Sequence, residues 1–75
     1  MTNPPAPSAR QALAGVVIQK IERDRLTVRI KSAIRAADLC ANTAGRVQAL
    51  LALAEVTANR VRELEWQGVT YRITD

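Results

Sequence analysis

The sequence predicts a mainly α-helical domain with a minor β-pair, and three observations point to it. An apolar seam at heptad spacing runs from Val47 to Leu64, and a second helical stripe joins Leu13 to Ile21. Two short runs, "LTVRIK" and "VTYRIT", alternate apolar with polar residues as half-buried strands do. The expected order is a helix at about 9–23, a strand at 26–31, helices at 33–41 and 44–65, and a strand at 69–73.

Each element has a local cause. The first eight residues, "MTNPPAPS", carry three prolines and almost nothing to bury, so a disordered arm is expected there and a single small domain over 9–75. Ser8 is a suitable N-cap, after which Leu13, Val16, Val17 and Ile21 fall on one helical face, weakened by Gly15 by roughly 1 kcal/mol. The charged cluster "ERDR" precedes a change to period two, in which Leu26, Val28 and Ile30 alternate with Thr27, Arg29 and Lys31. A helical stripe through Leu26, Ile30, Ala33 and Ile34 competes with that strand. The run at 69–73 repeats Thr-x-Arg-Ile in the same order, which suggests two strands of matched geometry pairing antiparallel.

Ser32 can cap the helix at 33–41, and Asn42 tolerates the left-handed backbone that often closes one. Thr43 can cap the next. From there Val47, Leu50, Ala54, Thr57, Val61 and Leu64 recur at intervals of three and four, so one rod of about 33 Å is expected to reach Trp66. Such a rod is longer than a monomer of this size covers, and its exposed seam at Val47, Leu50, Ala54, Val61 and Leu64 is the expected dimer interface.

Composition bounds the function. Thirteen of the 75 residues are Ala, there is no Phe, and Trp66 and Tyr71 are the only aromatics, so the core is thin. Small domains of this kind lean on disulfides, a metal or oligomerisation. A single Cys40 and no His leave self-association, and a homodimer without metal or cofactor is expected. No membrane span or secretory leader is recognisable, and the lone cysteine suits the cytoplasm. No paired carboxylates, phosphate-binding glycine loop or activated nucleophile is present, so catalysis is not expected, and Cys40 among alanines reads as a small buried residue.

The net charge is +4, and the excess lies in the first half of the chain: residues 1–46 hold six Arg and both Lys against three acids. Within this half, Ala37, the Asn42–Thr43 break, Val47 and Leu50 follow the spacing of a helix-turn-helix, and the stretch resembles such DNA-binding proteins over about 18 residues. It departs from them where Ala41 takes the usual glycine position and Asn42 a usual apolar one.

The resemblance implies a second helix facing the groove through Thr43, Ala44, Arg46, Gln48 and Ala49, with Arg46 reading guanine and Gln48 adenine. Arg29, Lys31, Arg35 and the arm residue Arg10 would hold phosphates. A competing frame sets "VTANRVREL" as the recognition helix and "GVTYRI" as the wing of a winged helix-turn-helix, but it would cut the seam at Glu55.

Two functions follow. The first is a small dimeric DNA-binding protein in transcription regulation. The second is a protein-interaction module that binds and inhibits a host protein, since the Ala-rich, Arg-over-Lys composition resembles small antagonists carried by phages.

Overall fold

The computed structural model describes residues 17–75. The expected arm at 1–8 and most of the first expected helix lie outside the described residues. The order of elements is β1 (Ile18–Glu22), α1 (Arg23–Leu39), α2 (Thr43–Thr57), β2 (Glu63–Trp66) and β3 (Val69–Thr74). The sheet runs β1-β3-β2, with β1 parallel to β3 and β2 antiparallel to it. Among the described residues the chain thus forms two helices and a three-stranded mixed sheet, not the expected helices with a two-strand pair.

Three corrections account for the difference. Residues 26–31 are helical, not extended, because Leu26 and Ile30 are one turn apart and both are fully buried, while Val28 is 64% exposed. With that segment helical, Ser32 lies inside α1 and caps nothing, and the predicted antiparallel pairing of 26–31 with 69–73 does not exist. Second, residues 18–22 form a strand rather than the end of a first helix. Alternation sends Ile21 into the core beside Ile73, while Lys20 and Glu22 point to the open face.

Third, the expected rod at 44–65 ends at Thr57. The chain then passes through Arg60 at φ 49° and re-enters as a strand. Of the two apolar residues that extended the seam, Val61 therefore lies in the connection after α2 and Leu64 in β2.

The chain reverses beside Asn42 as expected, but the left-handed residue is Ala41 and not Asn42, whose φ is −90°. Ala41 adopts φ 53°, the Asn42 amide donates to the Ala37 carbonyl at 2.8 Å and the Ala41 amide donates to that of Asp38 at 3.2 Å. These two bonds satisfy the last carbonyls of α1 in the Schellman manner, with alanine where glycine is usual. Asn42, rather than Thr43, caps α2: its side-chain oxygen accepts from the Gly45 amide at 3.0 Å. The β2–β3 hairpin closes in two residues, Gln67 at φ 52° and Gly68 at φ 76°, matching the type I′ turn whose twist suits paired strands.

The core forms where both helices meet one face of the sheet. Leu26 and Ile30 from α1, Ala49, Ala52 and Val56 from α2, and Ile21, Leu64, Trp66, Tyr71 and Ile73 from the strands make one cluster. Trp66 and Tyr71 are 6.1 Å apart between ring centroids and tilted by 42°, filling the junction of sheet and helices. Cys40, expected to be buried, is exposed at the end of α1.

Arg23 is the one buried charged residue among those described, and it ties three distant segments together. Its guanidinium donates to Asp75 at 2.7 Å and to the backbone carbonyls of Val56 at 2.8 Å and Val61 at 2.9 Å. Four of the five guanidinium N–H groups meet an acceptor, which offsets the cost of burying the charge. The Arg23 hydrogen bond, opposed by partial burial and aided by the charges of Arg23, Arg60 and Arg62, holds the Asp75 carboxyl below its ordinary range. The hydrogen bond to Asp75 likewise raises Arg23.

Candidate nucleic-acid interface

Once residues 23–39 form one helix, the basic residues of the first half acquire a shared geometry. At about 100° per residue, Arg25 and Arg29 make one row along the outer surface of α1, and Lys31 and Arg35 make a second. The rows stand about 120° apart around the axis, and Val28, Ser32 and Leu39 run between them. All seven of these side chains belong to exposed residues, and Leu39 is 85% exposed.

Neighbouring elements shape this face. Arg29 sits with its guanidinium 6.0 Å from the centre of the Tyr71 ring, which holds one row against the central strand β3. Arg25 and Arg29 share an open depression with Gln19, Lys20, Ile21, Glu22 and Thr74, so β1 contributes a glutamate as well as a lysine to its lining. Three salt bridges occur among the described residues, and they engage Arg23, Arg46 and Arg72. Lys20, Arg25, Arg29, Lys31 and Arg35 take part in none of them. Asp24 occupies the first turn of α1, where it favours the helix dipole, and Asp38 at the other end is held by Arg46 at 2.8 Å.

The residues expected to read bases do not share a surface. Thr43, Arg46 and Gln48 are all exposed on α2, but Arg46 and Gln48 point about 200° apart around it. Ala49, expected to face a groove, is 1% exposed and lies in the core. The expected phosphate contacts Arg29, Lys31 and Arg35 do come together on α1, whereas Arg10 lies outside the described residues. Lys20 and Arg25 were missed. The signal for Arg25 was its spacing of four from Arg29, which only a helical assignment of that segment would have revealed.

The expected dimer seam is divided in the same way. Val47, Leu50 and Ala54 line the outer surface of α2, but Leu64 is a core residue of β2 and Val61 is half-buried against the core. Those two are unavailable to a partner without opening the fold.

Among the described residues no group of carboxylates and thiols could hold a metal ion, and no helix is long and apolar enough to cross a membrane. No protein-family model, curated protein or solved structure matches the chain.

Proposed function

We propose that this chain is a small DNA-binding regulatory protein that lays the outer face of α1 along duplex DNA. The observation that carries the reading is the double row of Arg25, Arg29, Lys31 and Arg35, exposed and outside every salt bridge among the described residues. From Arg25 to Arg35 the helix rises about 15 Å, a little over four base-pair steps.

A major groove about 12 Å wide admits a helix, and in that pose the two rows meet phosphates of opposite strands. Val28 and Ser32 then point at the groove floor, where a branched apolar group suits thymine methyls and a hydroxyl suits either donors or acceptors. This pose accounts for an exposed valine at the centre of a charged helix face. It also moves the reading head from the second helix of the helix-turn-helix resemblance to the first, since the outer surface of α2 is mainly apolar and its one cation, Arg46, is paired with Asp38.

Fluorescence anisotropy with labelled duplex DNA of random sequence tests the reading. Alanine at Arg25 and Arg29, or at Lys31 and Arg35, is expected to weaken binding at least tenfold, while alanine at Arg60 and Arg62 changes it little. Absence of binding at micromolar protein in low salt would refute the proposal, as would losses confined to Arg60 and Arg62.

A further inference from the structure

The outer surface of α1 carries three parallel ridges of residues spaced by four, and only the two flanking ridges are basic. The middle ridge is Asp24, Val28 and Ser32, set between Arg25 with Arg29 on one side and Lys31 with Arg35 on the other. At 100° per residue, the midpoint of Val28 and Ser32 lies about 170° from the mean direction of the buried Arg23, Leu26, Ile30 and Ala37. This ridge therefore reaches furthest from the core, into whatever the basic rows grip. Asp24, Val28 and Ser32 are all exposed, and with Arg25 and Arg29 they line one open depression. Asp24 takes part in none of the three salt bridges among the described residues.

We infer, resting on the DNA-binding reading, that this middle ridge selects the base sequence, with Asp24 and Val28 as its specificity-determining residues. Each member offers a different chemistry to a base edge. An ionised carboxylate only accepts hydrogen bonds, so Asp24 suits the N4 amine of cytosine and is repelled by the paired acceptors of guanine and by thymine O4. The branched side chain of Val28 suits the thymine methyl group, which no other base carries in the major groove. Ser32, as donor or acceptor, imposes little choice.

Spacing turns these preferences into a site. Successive members of the ridge are separated by about 6 Å of helix rise, roughly two base-pair steps of 3.4 Å. The site therefore holds a cytosine and a thymine about two steps apart, and phosphate contacts from the two basic rows fix the register. Asp24 lies in the first turn of α1, the end of a reading helix that approaches base edges most closely in helix-turn-helix complexes.

Selection of tight-binding duplexes from a random library by the full chain, followed by sequencing, is expected to enrich cytosine and thymine at that spacing. Replacing the selected thymine by deoxyuridine removes one methyl group and is expected to weaken binding about fivefold. Val28→Ala should bind the two duplexes equally. Asp24→Asn should exchange cytosine for adenine in the selected site, since an amide both donates and accepts. If Asp24 served only the helix dipole, that variant would shift stability and leave the selected base unchanged.

A wild type that binds random duplex but enriches no site overturns this inference and leaves the DNA-binding reading standing. So does equal wild-type affinity for thymine and deoxyuridine, or a selected site indifferent to Asp24→Asn. Absence of DNA binding in low salt overturns both.

Discussion

Raising the salt concentration is the sharpest perturbation of the proposed DNA contact, because the structure sets its size. Each phosphate neutralised by Lys or Arg releases condensed counterions, and the logarithm of affinity falls with the logarithm of salt with a slope of about −0.9 per contact. If Arg25, Arg29, Lys31 and Arg35 each hold one phosphate, the slope is about −3.6, and moving from 50 to 200 mM salt weakens binding about 150-fold. Removing one row with Arg25→Ala and Arg29→Ala halves the slope to about −1.8 and leaves only about a 12-fold effect of the same salt change.

The assay is an anisotropy titration of a short random duplex at four or more salt concentrations, for the wild type and for each row variant. Participation by Lys20 would steepen the wild-type slope without altering the drop caused by losing a row. A wild-type slope shallower than about −1, or row variants that lose affinity with no change in slope, would show that α1 does not grip phosphates and would end the proposal.

Further predictions concern the fold. Ile30→Ala empties a site with no solvent exposure and is expected to cost about 2–5 kcal/mol, lowering the thermal midpoint by at least about 8 °C in a domain this small. Ala41→Gly relieves an L-residue of its left-handed conformation and should stabilise the protein by up to about 1 kcal/mol in a denaturant titration. Asp75→Asn tests the clamp on Arg23. The Asp75 carboxyl is more acidic folded than unfolded, so its stabilising contribution is complete above its ordinary value of 3.8 and fades as the pH falls through the lower folded value. Melting curves of wild type and variant should therefore differ at neutral pH and converge in strong acid, and a constant gap across that range would contradict the assignment.

The legible parts of this fold were those marked by local chemistry. Asn42 marks the reversal, although as the N-cap of α2 and with the left-handed turn on Ala41, and the strand at 69–73 sits behind Gly68, whose φ of 76° closes the hairpin. Trp66 and Tyr71 are the only aromatics of the chain, and they meet each other where sheet and helices join. The failures arise where two periods coincide. Over six residues, Leu26, Val28 and Ile30 satisfy a strand while Leu26, Ile30 and Ala33 satisfy a helix, and packing against α2 decides for the second.

The seam from Val47 to Leu64 failed for a related reason. Its spacing was regular, but the break after Thr57 is made by Arg60 in the left-handed region, with no Gly or Pro to announce it. The candidate site inherited both errors. Arg29, Lys31 and Arg35 were identified by charge alone, while their alignment with Arg25 depended on a helix that the alternation concealed.

The position of β3 in the sheet governs how the chain must assemble. It is the central strand, paired on both sides, yet it is the latest of the five elements to leave a ribosome. Its partner β1 emerges roughly fifty residues earlier, as the pairing of Ile18 with Thr70 shows, and waits without a neighbour. During synthesis the α1–α2 hairpin is the largest unit that can form, with Leu26, Ile30 and Val56 uncovered by any sheet. The apolar faces of both helices are thus made before the central strand that joins the sheet beneath them, and the sheet closes only when Val69–Thr74 has been added.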